Sequence, residues 1–499
     1  MKAKLTVNKA FPIGQIDKRI YGSFVEHLGR CVYGGIYDPG QETADEDGFR
    51  EDVRSLTKDL GLPFVRYPGG NFVSSYNWED GTGDRTKRPR KLDLAWKSVE
   101  TNQVGIDEFQ GWAKSVGADI GMTVNLGTRG IADAQNLLEY CNGETDTFYA
   151  QQRRQNGFPQ PFGIKTWFLG NEVDGAWQVG QKTAEEYGHL AAETAKVMKM
   201  IDPKIELIVC GSCGNRRPTF GHWDLTVLEH TYEYIDYISI HQFLGNKEQD
   251  MRRFLGKSVV MGRFIKSVAA ICDTVKAIKL SNKTVNISFD EWNVWYRSTG
   301  SMNGRWQVAP SLLEEQYSFA DALVVGCMLM TLQNNCDRVK LACMAQLVNV
   351  LAPIMTETGG AAWVQTIYWP FLYASRYGRG QALRPAVECE SYHTIDGARP
   401  PLTDVEVPYL ETSVICNEED RELVVFAVNR SLDEEMELDL DVQGFGQLHM
   451  IEHVELFNED LDAVNTKDSA AVTPTNCPVT QAAPVTLSKH SWNMLRLNY

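Results

Sequence analysis

The chain has 499 residues and a formal net charge of −16, with 43% hydrophobic and 23% charged residues. This length favours one large domain plus a smaller one, and the composition is that of a globular protein. The acidic balance argues against a nucleic-acid backbone or an anionic membrane as the main partner. Near the N-terminus there is no apolar run of signal-peptide length, and the eleven cysteines show no small-domain disulfide pattern. We therefore expect a cytoplasmic protein.

Eight short apolar runs, separated by segments of helical pattern, occupy the chain between about residues 18 and 345. Most are continuously apolar rather than alternating, as expected for parallel strands with a covered outer face. They are YGSFVEH from Tyr21, FVRYPGG from Phe64, IGMTVNLG from Ile120, IKTWFLGNE from Ile164, IELIVCGS from Ile205, YISIHQF from Tyr237, VNISFDEWN from Val285 and KLACMAQL from Lys340. Eight strands alternating with helices predict an α/β fold, a (β/α)8 TIM barrel. A doubly wound open sheet is the alternative, but no GxGxxG or P-loop signature favours it.

The pattern changes beyond about Gly378. Alternating stretches such as ELVVFAVNR, MELDLDV and HVELF are separated by turn residues, which predicts a C-terminal all-β sandwich domain. The segment KLTV near the N-terminus is predicted to add a strand to that domain. We expect an N-terminal segment over 1–17, a catalytic barrel over 18–377 and a C-terminal β-sandwich over 378–499.

Polar side chains follow the predicted strands, and in a TIM barrel the C-terminal strand ends line the active site. Carboxylates, amides, basic groups and aromatic rings meet there: Glu26, His27, Arg66, Asn71, Asn125, Asn171, Glu172, His241, Asp290, Glu291, Trp292, Asn293 and Gln346. The sequence has no HExxH, and the nine histidines are scattered rather than paired at ligand spacing. We therefore expect no metal and no cofactor, and the set suits carbohydrate chemistry.

Two glutamates stand out because glycoside hydrolysis uses two carboxyl groups that flank one bond. One must hold a proton for the leaving oxygen, and the other must be ionised to stabilise or trap positive charge at the anomeric carbon. Glu172 and Glu291 fit this division, and by strand count they end strands four and seven. Either one alone is equally well explained by a structural ion pair, because charged residues are common at strand ends of this fold.

The motifs that surround both glutamates resemble those of the α-L-arabinofuranosidases of glycoside hydrolase family 51. They include RYPGGNFVSSYNWEDG from Arg66, NLGTRG from Asn125, FLGNEVDGAWQ from Phe168, DEWNVWY from Asp290 and AQLVNVLAPIMTE from Ala345. The resemblance covers nearly the whole chain. It implies an exo-acting, retaining enzyme that releases terminal non-reducing α-L-arabinofuranosyl units from oligo- or polysaccharides, with Glu172 as general acid/base and Glu291 as nucleophile. It also implies a homo-oligomer, often a hexamer.

The same resemblance implies sugar-binding roles for seven more residues: Glu26, Arg66, Asn71, Trp96, Asn171, His241 and Gln346. Asn171 would hydrogen-bond the sugar 2-hydroxyl, and Trp96 would pack against the C–H surface of the ring. Simpler roles stay open for three of them. Arg66 could neutralise a carboxylate in a buried network, His241 could be a hydrogen-bonded core histidine, and Trp96 could be core packing.

Two positions depart from the family pattern. Phe243 stands where the family commonly has a tyrosine near the nucleophile, which removes a hydroxyl donor to Glu291. Ala176 stands where the acid/base motif often has proline, which affects loop rigidity more than chemistry. The loop 297–310, with Trp306, is expected to line the aglycone side of the site.

Other functions remain open from the sequence. A β-xylosidase or an endoglucanase on the same scaffold would carry the same two carboxylates. A sugar-binding protein that has lost catalysis is a further alternative, although the full motif context of both glutamates argues against it. Cys210 and Cys213 form a CxxC, but without further ligands at metal spacing we expect ordinary thiols.

Overall fold

A computed structural model of the chain describes residues 1–296, 306–397, 402–479 and 484–499. Eight parallel strands close into a barrel, and we number them one to eight in chain order. Their bounds are Gly22–Phe24, Phe64–Tyr67, Asp119–Thr123, Thr166–Leu169, Glu206–Cys210, Tyr237–Leu244, Asn286–Val294 and Val339–Ala345. Strand eight closes the barrel on strand one, with Cys343 opposite Gly22 and Ala345 opposite Phe24. The predicted eight-stranded barrel is confirmed.

The continuously apolar strands are explained by burial on both faces. In strand four, Phe168 joins a cluster inside the barrel that includes Phe24 and Phe64. Its neighbours Trp167 and Leu169 face outward into the larger core that the helices cover. Because successive side chains of a strand point to opposite faces, a strand buried on both sides needs apolar residues at every position.

The helices cover the outside of the barrel. The α-helices among the described residues are Glu51–Asp59, Ile106–Ser115, Ile131–Asn142, Phe148–Gln155, Ala184–Ile201, His222–Thr231, Met251–Leu255, Lys257–Ile278, Phe319–Gln333 and Tyr368–Tyr377. Short 3-10 helices span Lys18–Tyr21, Asn71–Ser75, Trp78–Gly81 and Arg85–Lys87. Within the described parts of the chain, no helix is both long and apolar enough to cross a membrane.

Two sheets form the β-sandwich. The larger sheet has the spatial order Pro12–Gln15, Gln381–Leu383, Leu410–Asn417, Glu422–Asn429, Ser491–Asn498, His449–Leu456 and Thr475–Asn476. The smaller one has the order Ala386–Cys389, Lys2–Asn8, Met436–Gln443 and Val485–Leu487. Short hairpins elsewhere pair Lys91–Asp93 with Ser98–Glu100, Ile354–Thr356 with Ala362–Val364, Ser391–Asp396 with Thr403–Pro408, and Asn465–Thr466 with Ser469–Ala470. The N-terminal strand Lys2–Asn8 runs parallel to Met436–Gln443. The domain limits given above stay a prediction.

The larger sheet is buried on both faces, which explains why the segment ELVVFAVNR is continuously apolar from Leu423 to Val428 and does not alternate as predicted. Leu423 and Val425 pack into the core between the two sheets. Val424 and Phe426 face the other way and join the core of the barrel. The helix Phe319–Gln333 packs against this face, and every one of its residues is buried.

Candidate active site

A cavity of about 390 Å³ opens at the C-terminal ends of the barrel strands. Nine residues have a predicted catalytic or sugar-binding role, and six of them line this cavity: Glu26, Asn71, Trp96, Glu172, Glu291 and Gln346. The other three, Arg66, Asn171 and His241, are almost fully buried and make hydrogen bonds to residues in the wall. A larger hollow of about 990 Å³ includes the amino ends of several strands, but it contains neither of the two predicted catalytic glutamates.

Glu172 and Glu291 face each other in this cavity. One oxygen of each carboxylate and a ring nitrogen of His241 all lie within 4.8 Å of one another. Glu172 lies three residues after strand four ends at Leu169, and its backbone has φ +45°, in the left-handed region that side chains rarely adopt. Such strain persists only where the surroundings fix it, and it concentrates at functional sites. The geometry therefore brings together the two carboxyl groups that the sequence singled out.

Arg66 is buried beneath the cavity wall and forms an ion pair with Glu291. Its Nη1 donates to Glu291 Oε1 at 2.7 Å, and its Nη2 donates to Asn171 Oδ1 at 2.6 Å. The guanidinium lies 4.9 Å from the ring centre of Phe24 and 4.8 Å from that of Phe168. These two aromatic faces stabilise the buried cation. The carboxylate that Arg66 contacts most closely in this buried network is that of Glu291.

His241, within strand six, connects the two glutamates. Its Nδ1 lies 2.9 Å from Glu172 Oε1 and 3.7 Å from Glu291 Oε2, and its Nε2 lies 3.0 Å from Asp290 Oδ1. Burial lowers the pKa of this imidazole, but the three carboxylates outweigh burial and raise the pKa to about 10. His241 is therefore a cation at neutral pH, with both nitrogens donating.

Asp290 is a site residue to which the sequence analysis gave no role. It is fully buried, its Oδ1 accepts a hydrogen bond from Ser239 Oγ at 2.6 Å, and its Oδ2 lies 3.8 Å from Arg66 Nε. Burial raises the pKa of this carboxyl, but Arg66 and His241 lower it below its ordinary value. The strand pairing shifts register beside Asp290, between Phe289 and Trp292. Such a bulge re-aims side chains, so that adjacent residues can both reach the mouth of the barrel.

Burial and the charges around Glu291 shift its pKa in opposite directions. Burial raises the pKa of this carboxyl, the His241 cation lowers it, the neighbouring Glu172 raises it and Arg66 lowers it. Burial and the second carboxyl prevail, so the pKa lies above its ordinary value.

Glu26 lies at the opposite wall. Its Oε1 accepts hydrogen bonds from Trp96 Nε1 at 2.8 Å and from the Phe72 backbone N–H at 2.9 Å, and its Oε2 accepts from Gln346 Nε2 at 3.2 Å. Burial and the charge of Glu291 raise the pKa of Glu26 to about 8. The hydrogen bond fixes the indole of Trp96 at the cavity wall.

Gly70, the second glycine of RYPGG, lies so close to Glu26 that there is no room for a side chain. A Cβ on Gly70 would overlap the carboxylate of Glu26. A side chain at position 70 would therefore displace Glu26 or the backbone that carries Asn71.

Two further residues escaped the sequence analysis although both lie in the quoted motif FLGNEVDGAWQ. Gln178 Nε2 donates to Asn71 Oδ1 at 3.1 Å, and that same oxygen accepts from Asn171 Nδ2 at 3.1 Å. Trp177 Nε1 donates to Glu172 Oε2 at 2.8 Å. The spacing of five residues between Trp177 and Glu172 lies on an irregular loop, so no helical or strand periodicity could have predicted the contact.

The sequence also drew attention to Phe243, to the loop 297–310 and to the cysteine pair Cys210 and Cys213. Phe243 lies in the cavity wall, where its ring packs edge-on to Trp295 at 5.3 Å. Of the loop 297–310, residues 297–305 lie outside the described part of the chain, and Trp306 is 42% exposed. Cys210 is buried and Cys213 lines the cavity, and both are free thiols.

Comparison with known proteins decides the family. Residues 56–253 match the family model described as the alpha-L-arabinofuranosidase 1 domain, and residues 290–491 match the alpha-L-arabinofuranosidase C-terminal domain. A relative from Bacillus subtilis (strain 168), named intracellular exo-alpha-(1->5)-L-arabinofuranosidase 1, is 51% identical over 502 residues and 99% of each chain. The chain belongs to the α-L-arabinofuranosidases of glycoside hydrolase family 51. The resemblance drawn from the motifs is thereby confirmed.

Solved structures of the family agree with this assignment. A family 51 alpha-L-arabinofuranosidase from Bifidobacterium longum matches with a TM-score of 0.95 and 42% identity, over 99% of each chain. The alpha-L-arabinofuranosidase from Thermotoga maritima, solved as an arabinose complex, matches with a TM-score of 0.91 and 34% identity over 100% of each chain. The barrel and the sandwich are thus both features that this chain shares with family 51 structures.

Proposed function

We propose that this family 51 member is an exo-acting, retaining α-L-arabinofuranosidase that releases terminal non-reducing α-L-arabinofuranosyl units from arabinose-containing oligo- or polysaccharides. One observation carries the proposal: carboxylate oxygens of Glu172 and Glu291 face one cavity within 4.8 Å of each other. Retaining glycosidases place their two carboxyl groups about 5 Å apart, whereas inverting enzymes need about 6.5–9.5 Å to admit a water molecule. The names of the relatives, exo-arabinofuranosidases, favour this activity over a β-xylosidase or an endoglucanase.

The proposed reaction has two steps. Glu291 attacks the anomeric carbon while protonated Glu172 donates its proton to the departing glycosidic oxygen, which gives a β-linked glycosyl ester and a free alcohol. Water, deprotonated by Glu172, then attacks the anomeric carbon, and Glu291 leaves as the carboxylate. Two inversions give net retention of the α configuration.

A charge count over the buried network supports these roles. Arg66 and His241 are two cations, and Asp290 and Glu291 provide two anions within 4 Å of them. The network is therefore neutral when one of the two glutamates holds a proton. Arg66 contacts Glu291 directly and favours its ionised form, as a nucleophile requires.

The remaining residues are proposed to bind the sugar. Asn171 uses one N–H for Asn71, and its second amide N–H, which has no hydrogen-bond acceptor among the described residues, can donate to the 2-hydroxyl of the arabinosyl unit. Glu26 and Gln346 line the same cavity and offer polar groups to other hydroxyls, and Trp96 offers an aromatic face to the C–H surface. Hydrogen bonds of this kind strengthen in the transition state.

Location, assembly and linkage belong to the same proposal. The B. subtilis relative is named intracellular, which supports action inside the cell on imported oligosaccharides. The resemblance to family 51 supports a homo-oligomer, often a hexamer, and light scattering after size exclusion tests it. The relatives are named for α-(1→5) and α-(1→6) linkages, so hydrolysis of disaccharides of both linkages would show which one this chain prefers.

Activity on a matched pair of chromogenic substrates tests the proposal. We expect the wild type to hydrolyse 4-nitrophenyl α-L-arabinofuranoside and to prefer it strongly over 4-nitrophenyl β-D-xyloside. Glu172→Ala should lower kcat/KM for a natural arabino-oligosaccharide by about 10²–10⁴-fold, since its leaving group needs protonation. A folded wild type that cleaves only the xyloside would overturn the sugar assignment, and one that cleaves no glycoside would favour the sugar-binding alternative.

A further inference from the structure

Three potential ligand side chains meet on the outside of the barrel, away from the proposed active site. Glu185 and His189 lie one helical turn apart on the helix Ala184–Ile201, so they share one face. His230, from the helix His222–Thr231, packs onto that face. Its Nε2 lies 2.7 Å from Glu185 Oε2, and its ring centre lies 4.2 Å from that of His189.

The chain is shaped to let His230 approach so closely. Gly188 lies between Glu185 and His189 on the shared face, and a Cβ there would come within 2.6 Å of His230 Cδ2. Any larger residue at this position would push the imidazole away from the other two side chains. The glycine therefore places His230 between a carboxylate and a second imidazole.

We propose that Glu185, His189 and His230 bind a divalent transition-metal ion of the zinc type. One ligand atom from each residue lies within 4.8 Å of the other two. Around a tetrahedral zinc ion with bonds of about 2.0–2.1 Å, ligand atoms are about 3.3 Å apart. Small rotamer changes of Glu185 and His189, which are both exposed, close that difference. Two imidazoles and one carboxylate suit zinc, copper or nickel, whereas magnesium and calcium require mostly oxygen ligands.

The surroundings allow an ion to enter from solvent. The side chain of Glu185 is 69% exposed and that of His230 is 24% exposed, so water can complete the coordination. The net charge of −16 favours the approach of a cation. An ion bound by both helices links the segment after strand four to the segment after strand five. It also stabilises the folded state, because the unfolded chain lacks the preformed site.

A second group of potential ligands, Glu172, His241 and Glu291, lies in the proposed active site. There Arg66 already donates to Glu291 at 2.7 Å and His241 contacts three carboxylates, so a metal ion would have to displace these contacts and would be repelled by the guanidinium. At neutral pH zinc therefore prefers the helix pair. A measurement of enzyme activity distinguishes the two possible metal sites. An ion between the catalytic carboxylates blocks substrate binding, whereas an ion between the helices does not.

Calorimetric titration of the full-length, untagged protein with zinc chloride tests the proposal. We expect saturable binding of zinc and a rise in Tm of about 2–3 °C once the ion exceeds its Kd about 100-fold. His189→Ala and His230→Ala should each remove the binding and the rise in Tm. Both variants should keep wild-type activity and circular dichroism. Magnesium chloride should have no effect.

His222→Ala provides the matched control, because His222 is an exposed histidine on the same helix as His230 but outside the cluster. It should bind zinc as the wild type does. Equal zinc binding by the wild type and His189→Ala would overturn the proposal, as would the absence of binding to the wild type. If zinc inhibited both proteins in step with binding, the ion would lie at the catalytic carboxylates instead.

Discussion

Asp290→Asn is the substitution that most sharply tests the buried charge network. The change keeps the shape of the side chain and removes one negative charge from a fully buried position. Its Oδ2 lies 3.8 Å from Arg66 Nε and its Oδ1 lies 3.0 Å from His241 Nε2. At an effective dielectric constant of about 20, these separations correspond to gross attractions of about 4 and about 5.5 kcal/mol. The carboxylate also loses its hydration on burial, which offsets several kcal/mol of that attraction.

We therefore expect Asp290→Asn to lower the free energy of unfolding by about 3–5 kcal/mol, the usual effect of leaving buried cations with one partner fewer. A second effect concerns His241. Its raised pKa of about 10 means that its ion pairs stabilise the fold fully below its unfolded pKa and are lost as pH rises through about 10. In the variant this pKa falls, so the loss of stability and of activity on the alkaline side begins at lower pH.

The assay combines urea unfolding at neutral pH with the pH profile of kcat/KM. Asp224→Asn is the matched control, because Asp224 is equally buried but accepts its hydrogen bonds from Ser212 and Gly221 rather than from a cation. The control should leave the pH profile unchanged. If Asp290→Asn kept its stability within about 1 kcal/mol and its wild-type pH profile, the network would not act as described.

Three further substitutions probe the cavity wall. The pKa of Glu26 is raised to about 8, so its contribution to stability is fully present below pH 4.5 and is lost as pH rises through 8. The unfolding free energy of the wild type relative to that of Glu26→Gln should therefore fall by about 3–4 kcal/mol between pH 5 and 8. A difference that stays constant over this range would contradict the assigned pKa. Phe243→Tyr adds a hydroxyl at the cavity wall that can donate to Glu291, so the acidic limb of kcat/KM should move to lower pH; an unchanged limb would show that the hydroxyl does not reach the carboxylate. Trp177→Phe removes the N–H that donates to Glu172 Oε2, and we expect kcat/KM to drop about 10-fold with unchanged stability, whereas a loss of stability alone would indicate a packing role.

The sequence predicted the barrel well because its signal is local. A strand buried on both faces must be apolar at every position, as Trp167 and Phe168 show, and eight such runs are readable without any tertiary information. The alternating stretch MELDLDV likewise predicted a strand, which the smaller sheet contains. The burial of the whole helix Phe319–Gln333 could not be predicted in the same way, because it depends on how the barrel and the larger sheet pack together.

For the site, the motifs indicated roles for nine residues, but they could not predict contacts that form only when the chain folds. Asp290 stands beside Glu291 in the chain, but its contact with His241 arises only when strands six and seven pair. Trp177 reaches Glu172 across an irregular loop. The sequence could not predict that Glu185, His189 and His230 lie together, because His230 comes from a different helix and reaches the other two only when the helices pack.

The roles of Glu172 and Glu291 are tested most directly by chemical rescue of Glu172→Ala and Glu291→Ala with azide. In Glu291→Ala, azide replaces the missing nucleophile and attacks the substrate once, so the product should be the β-linked glycosyl azide. In Glu172→Ala, azide attacks the glycosyl ester on Glu291, so the product should be the α-linked azide. The same anomer from both variants, or the reverse assignment, would contradict the account.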